Sequence, residues 1–433
     1  MKHATGWLWL LLAVETALLG ALTPFGDFTQ SGNPVAFVCL FLLAGCVYLA
    51  AMRVAAKTET PMTLSLFWTG AIVLRLVALT NVPGDDIWRY LWEGEIQWHG
   101  FNPYLQGPLD AQLQPLHDAV WAQVGHKEWR AIYPPAAETM FAGLTAISIN
   151  AVWFKAVFGL ADLLVIPLLL RLNGGDLRQT LWFAWNPALA WAFAGSGRFD
   201  SCLLLAMTAA ILALDRSERE KSISWPFLAS VFLGVAIALK AIPIFWLPLF
   251  AFALGRRCWL LAVAVAIPAL WCLPYGGIDA VTKVLRNFAL RSRYDDLFWW
   301  IVEGGRGVSA AQNKPYNLVI LGATLVLSFL FRRDWRRGLL WVTGAILILS
   351  PTLHPWYVAW ILPLACWRRM EPWFVLSLSV MCALLLWQSG PVWQAWNTNW
   401  FIRTLVIVPP LLALALGAWQ KKYHLKNHEL AHG

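Results

Sequence analysis

Hydrophobic and polar positions in this chain alternate in long blocks rather than residue by residue. Apolar runs occupy residues 6–24, 34–54, 62–80, 134–171, 179–196, 198–214, 225–254, 258–273, 315–331, 337–353, 355–367, 371–388 and 400–419. A run of roughly 17–25 apolar residues can cross a bilayer as a helix. The pattern therefore predicts an all-α, polytopic membrane helical bundle. Short basic segments punctuate the runs: Arg53 and Lys57; Arg171 and Arg178; Arg216, Arg219 and Lys221; Arg256 and Arg257; Arg332, Arg333, Arg336 and Arg337; Arg368 and Arg369; Lys421, Lys422 and Lys426. The positive-inside bias assigns all of them to the cytoplasm.

Parity then constrains the path. The N-terminus starts inside, with Lys2 and His3 before an uncleaved first span. Three spans carry residues 81–132 outside. For Arg171 to return inside, residues 134–171 cross once, so Ala136 to Asn150 is expected not to cross fully. The 225–254 run becomes two short spans hinged near Lys240 and Pro243. About 13 or 14 spans result, all basic segments landing on one side. Residues 1–420 form one transmembrane unit and 421–433 a short cytoplasmic tail. Loops 81–132 and 274–314 build the external face, joined by turns at Ser196–Asp200 and Thr352–Pro355 and by the loop Gly390–Asn399.

One segment breaks the apolar pattern most sharply. NVPGDDIWRYLWEGEIQWHGFNPY, Asn81 to Tyr104, is a polar, acidic island with helical period. On a helical wheel Asp86, Arg89, Tyr90, Glu93 and Gln97 share one side, and Ile87, Trp88, Leu91, Trp92, Ile96 and Trp98 the other. That arrangement predicts a juxtamembrane helix lying flat in the interface, its Trp side chains at headgroup depth. Asp85 sits at the seam, after Pro83 and Gly84; Gly100 marks the end. Ionisable residues at a membrane are costly to keep and read as functional by default. A structural role is also open, with Asp85 capping the helix and Asp86 pairing with Arg89.

Composition agrees: of 433 residues, 59% are hydrophobic and 13% charged, which excludes a soluble domain of this size. The 29 Trp suit interfacial belts. Because the basic residues follow loop topology, the net charge of +9 carries no nucleic-acid reading. The seven Cys are scattered, form no C-x-x-C pair and read as small buried apolar residues. No HExxH, P-loop or GxGxxG occurs.

The external residues left unexplained by basic-segment counting suggest one chemistry. Asp85 or Asp86 would serve as a general base. In the loop after Pro274, Arg286, Arg291 and Arg293 match phosphate oxygens, unless they are simply solvated. Lys240 and His354 sit at external span ends and would assist with the phosphate. Ser196-Gly197-Arg198-Phe199-Asp200 forms a tight turn whose Arg198 and Asp200 bind a sugar, order the Asp85 helix or pair with each other. Arg89 and Glu93 are further substrate-binding candidates, while Trp88, Trp92 and Tyr104 would stack on sugar or flank the lipid path.

The DDIWRYLWEGEIQWHGFNPY stretch resembles the first external loop of GT-C-type integral-membrane glycosyltransferases. Among these it is most like the bacterial polyprenol-phosphate-mannose-dependent mannosyltransferases. Tyr133-Pro134-Pro135, the Asp162 span, Gly197-Arg198-Phe199-Asp200, Lys240-Ala241-Ile242-Pro243 and Ser350-Pro351 to Trp356-Tyr357 follow in that group's order, so the resemblance covers residues 75–370. It implies an all-helical bundle with juxtamembrane helices and a lipid-phosphate sugar donor. It also implies an acidic catalytic base in the first external loop, a role that falls on Asp85 or Asp86. Some relatives use D-x-D or D-x-E spacing and some need a divalent metal; here the aspartates are adjacent, with no metal ligand assigned and no cofactor beyond that possible metal.

The reading is an inverting hexosyltransferase, mannosyltransferase-like, in the bacterial inner membrane with its site on the external face. It uses a polyprenyl-monophosphate sugar and a lipid or glycan acceptor, among membrane lipids and without nucleic acid. A flippase of lipid-linked sugars is the rival; it predicts paired repeats and midplane charges, whereas these charges gather on one face. A scaffold, the second rival, needs no acidic pair.

Overall fold

The computed structural model describes residues 2–58, 62–220, 222–302, 313–389 and 399–432. Most of the expected 390–399 loop and residues 303–312 of the second external loop lie outside the described residues. Helices follow in chain order: α1 Lys2–Gly20, α2 Asn33–Lys57, α3 Leu64–Ala78, α4 Asp86–Trp98, α5 Ala119–Gln123, α6 Pro135–Thr145, α7 Ala151–Leu172, α8 Leu177–Ala184, α9 Pro187–Ala190 and α10 Asp200–Arg219. Then come α11 Ser224–Leu239, α12 Leu247–Leu254, α13 Leu261–Trp271, α14 Gly277–Arg291, α15 Trp299–Val302, α16 Asn313–Leu330, α17 Trp335–Leu349, α18 Leu362–Arg368, α19 Glu371–Ser379 and α20 Trp400–His432. The backbone of α20 runs on through most of the expected tail.

The chain is an all-α, multi-pass membrane protein. Among the described residues six helical stretches are long and apolar enough to span: Thr5–Phe25, Asn33–Lys57, Ala151–Leu172, Ile242–Tyr275, Glu371–Gln388 and Trp400–Gln420. Leu64–Ala78 and Ser224–Leu239 are shorter apolar helices. Within 134–171, α6 has 11 residues and α7 has 22. At 1.5 Å per residue they measure about 16 and 33 Å, so only α7 matches a bilayer core of about 30 Å. Helix pairs α1–α2, α7–α10, α10–α11 and α11–α13 pack around one large core containing Phe41, Tyr48, Trp185, Trp246 and Leu347. Inside the bundle Arg75 of α3 pairs with Asp162 of α7 at 2.8 Å, both buried. A lone charge there would face no water, so pairing is the condition for burying either.

The helix expected to lie flat on the membrane is enclosed instead. Its apolar side packs into two small cores, Ile87 and Leu91 against Phe141, Phe158 and Phe199, and Trp92 and Ile96 against Leu113 and Val124; Tyr90, expected on the polar side, joins the first of these cores. Its polar side is covered too. Arg89 donates to Glu93 at 2.7 Å and to the carbonyls of Gly125, His126 and Trp129. Gln97 donates to the Glu138 carbonyl and accepts from Tyr275. The reason is coverage: the loop before α6, and α6 itself, wrap both faces. Trp98 alone among the named aromatic residues stays largely exposed, at 64%.

Four helices are interrupted at one end of the bundle. α3 stops before the loop that starts α4. A π turn, Trp191–Gly195, and Gly197 at φ +79° separate α9 from α10. Lys240 is extended, with φ −158° and ψ 134°, and Pro243 follows. Ser350 and His354 are also extended between α17 and the 3-10 turn Pro355–Ile361. Irregular backbone at such depth survives where protein groups satisfy it or where it lines a cavity.

Candidate active site

Those four interruptions converge. Arg198, leaving the Gly197 turn, donates from Nη2 to Asp85 at 2.8 Å and from Nη1 to Asp86. Its Nε donates to Ser196 Oγ at 3.2 Å. The guanidinium carbon stands 3.5 Å from the centre of the Trp356 ring. Close backbone approach makes this possible: Gly84 N donates to the Ser196 carbonyl at 2.8 Å. A Cβ on Gly84 would lie 2.4 Å from Ser196 Oγ and 2.8 Å from Arg198 Nη2.

Lys155 of α7 underpins both loops. Its buried Nζ donates to the carbonyls of Leu79 and Asn81 at 2.8 and 2.6 Å, where a cation suits the C-terminal end of α3. A Cβ on Gly197 would meet the Lys155 stem at 3.1 Å. The segments leading to Asp85 and to Arg198 therefore both lie against one side chain from a third helix.

Beside the carboxylates runs an aromatic wall. His354 stacks between Tyr294 (4.4 Å) and Trp356 (4.6 Å), and Tyr357 stacks on Trp360 at 4.2 Å. Tyr294 is tied to the 350–354 segment by backbone bonds from its own N to Pro351 and from Leu353 to its carbonyl. Lys240 pairs with Asp200 at 2.7 Å over the rings of Tyr357 and Trp360. Trp360 Nε1 donates to the same Asp200 oxygen at 2.7 Å.

The two aspartates differ. Asp85 keeps 57% of its side chain exposed, Asp86 30% and Arg198 only 4%. Burial raises the pKa of both carboxyls, and Arg198 lowers it. For Asp85 the arginine prevails, and the carboxyl lies below the ordinary carboxylate range. For Asp86 burial prevails, with the Asp85 charge adding to it, and the carboxyl lies above that range. Burial, with Arg198 adding to it, pushes His354 down to about 3, so at neutral pH it is an uncharged ring.

Six of the sequence candidates meet here: Asp85, Asp86, Arg198, Asp200, Lys240 and His354. Others do not. Arg89 and Glu93 form a buried ion pair that holds the loop, so their polar groups face protein rather than substrate. Trp92 is 0% exposed and Tyr104, bonded to the Tyr133 carbonyl, 1%; both are core side chains. Trp88 is half-buried between the two small cores flanking α4. Arg286 and Arg291 are exposed on α14, with no ion pair among the described residues. Arg293 lies next to Tyr294, its guanidinium 5.0 Å over Tyr316. His354 carries no charge to offer a phosphate.

Lys155 and Trp360 had no assigned role, and Gly84 only that of a stop before the helix, though a lone lysine in the 134–171 apolar run was a signal. Among the described residues no three His, Cys, Asp or Glu side chains converge as metal ligands. Asp85 and Asp86 both face Arg198 instead.

No curated protein and no solved structure matches the chain. A family model does, described as alpha-(1->6)-mannopyranosyltransferase, N-terminal domain, over residues 4–256. That segment supplies Asp85, Asp86, Lys155, Arg198, Asp200 and Lys240, while Tyr294, His354 and Trp356 come from beyond it. The match spans more than half of the chain, and the protein belongs to this MptA_B family of mannosyltransferases.

Proposed function

We propose that the protein moves a mannosyl group from a polyprenyl-monophosphate donor to a hydroxyl of a lipid or glycan acceptor, on the external face of the bacterial inner membrane. The observation that carries this reading is the carboxylate pair held at the rim by Arg198. Asp85, the more open of the two, takes the proton of the acceptor hydroxyl. The acceptor oxygen attacks the anomeric carbon, the bond to the phosphate oxygen breaks, and its electron pair leaves with the polyprenyl phosphate. One such displacement inverts the anomeric centre. The phosphate leaves as a stabilised anion, so no general acid is required. Asp86 keeps Arg198 in register. Lys240 and Asp200, fixed over Tyr357 and Trp360, provide a polar and aromatic surface of the kind sugars bind. His354 orients as an uncharged ring, and Arg293 stands one residue from the Tyr294 end of the wall.

The test is sugar transfer by purified protein in liposomes with a panel of polyprenyl-phosphate hexoses and a lipid or glycan extract. Wild type is compared with Asp85→Asn and Asp86→Asn. Transfer from the mannosyl donor, lost in folded Asp85→Asn, supports the reaction and the base. Donor crossing the bilayer unreacted would favour a flippase. Labelling of Asp110→Cys from the cytoplasmic side only would refute the external site.

A further inference from the structure

Arg198 is the cation that meets the carboxylate pair, and it has little freedom. Trp356 covers one face of the guanidinium at 3.5 Å. Gly84 approaches so closely that a Cβ there would lie 3.2 Å from Cζ. Trp356 and the Gly84 backbone leave the group little room to tilt toward them. Its hydrogen-bonding edge is shared among Ser196, Asp85 and Asp86. A guanidinium has five N–H donors, and both terminal nitrogens keep a second N–H beside the one given to an aspartate.

The other cations nearby are engaged elsewhere, buried Lys155 on the Leu79 and Asn81 carbonyls. Asp85, Asp86 and Asp200 face Arg198 and Lys240, and His354 is neutral. Lys240 is fixed on Asp200 over the Trp360 ring. Arg89, one turn along α4, is committed to Glu93 and three carbonyls. An anion entering beside Asp85 therefore meets a carboxylate-rich surface, with Arg198 as the group able to receive it. It does so at the terminal nitrogens, in competition with the carboxylate charge of Asp85 already there. Asp85 is the partner that can yield, because it is the more exposed of the two.

We propose that Arg198 is shared between Asp85 and the phosphate of the polyprenyl donor, so that the arriving phosphate displaces the Asp85 carboxylate from the fixed guanidinium and frees it to act as base. The inference rests on the donor reading above. It makes the base competent only when a donor is present, and it makes Asp85 a competitor of the donor phosphate as well as a participant in the reaction. An arginine fork suits this exchange, since carboxylate and phosphate oxygens accept the same paired N–H groups.

The experiment measures equilibrium binding of a sugar-free polyprenyl monophosphate to the full-length protein in nanodiscs at pH 7. Neutral polyprenol is the control. Asp85→Asn, which preserves shape and removes the competing charge, is expected to bind the phosphate about tenfold more tightly than wild type, while polyprenol affinity does not change. Arg198→Gln is expected to weaken phosphate binding about tenfold or more. Phosphate affinity of Asp85→Asn equal to or below wild type would overturn the sharing while leaving the donor reading intact. Equal tightening for polyprenol would also overturn it, because the effect would then not be a charge effect. Wild type that binds polyprenyl monophosphate no better than polyprenol would overturn the donor reading and this inference together.

Discussion

Gly84→Ala adds one methyl group at the tightest point of the site. Gly84 is outside the left-handed region, so the backbone accepts alanine. The obstacle is space: the new Cβ would lie 2.4 Å from Ser196 Oγ, 2.8 Å from Arg198 Nη2 and 3.2 Å from Cζ. None of these atoms is free to retreat. Ser196 accepts from Arg198 Nε and its carbonyl accepts from Gly84 N, while Arg198 is held by two carboxylates and by Trp356. Overpacking of this kind costs about 1–3 kcal/mol. A Gly-to-Ala change offsets about 0.4–1 kcal/mol of that by restricting the unfolded chain. The net loss of stability is therefore modest, between about 0 and about 2.6 kcal/mol. Activity should suffer more, since a displacement of about 1 Å in a positioned group can cost about 100-fold.

The assay pairs thermal unfolding in detergent with kcat for sugar transfer. Gly84→Ala is expected to melt slightly earlier and to lose about 100-fold in kcat. Adding Ser196→Ala removes the nearest contact but also the acceptor of Arg198 Nε, and it leaves the contact with Arg198, so the double variant should not recover kcat. Wild-type kcat in Gly84→Ala would refute the claim that this loop fixes Arg198 against the aspartates.

Three further outcomes follow from the same geometry. Lys155→Met leaves the Leu79 and Asn81 carbonyls without their buried donor, so it should lower both melting temperature and kcat while donor KM is unchanged; unaltered kcat would remove Lys155 from the positioning of Asp85. His354 titrates near 3, so in His354→Asn the acidic limb of a pH–rate profile between pH 5 and 8 should stay where wild type has it, although kcat falls; a shifted limb would mean that His354 titrates in that window. Burial pushes the Asp295 carboxyl up to about 7, with Arg403 opposing and the Asp296 charge adding. A raised carboxyl stabilises the fold at low pH and loses that contribution as pH rises through about 7. Melting temperature should therefore fall between pH 5 and 8, and Asp295→Asn should flatten the slope; equal slopes would refute the assignment.

Residue chemistry made some of this visible from the sequence and hid the rest. Long apolar runs announce spans because a bilayer tolerates little else, and the break at Lys240 and Pro243 shows because both residues are costly in such a run. The adjacent aspartates stand out for the same reason. The orientation of α4 does not. Its period separates two faces, with Tyr90 and Trp98 misplaced, but period alone assigns the apolar face to the interior only when the polar face meets water. Here Arg89, Glu93 and Gln97 meet the 125–129 loop, α6 and Tyr275 instead. Trp92 and Tyr104 mislead similarly, since an aromatic ring suits a core as well as a headgroup region or a sugar.

The pairing of Arg198 with Asp86, 112 residues away, is a tertiary fact, yet its ingredients lie in a local pattern. Each interruption of an apolar helix at this end of the bundle delivers one or two polar side chains: Asp85 and Asp86 after α3, Arg198 after the π turn, Lys240 after α11, His354 after α17. A broken helix frees backbone groups that must find partners, so breaks in neighbouring helices are best satisfied at a common depth where loops can bond one another. The Gly84–Ser196 and Tyr294–Leu353 backbone bonds do this. Convergence of the charged residues then follows from convergence of the breaks. It explains why α14, an unbroken helix carrying Arg286 and Arg291, leaves both arginines on the surface while Lys240, a single cation at a break, is drawn into the cluster.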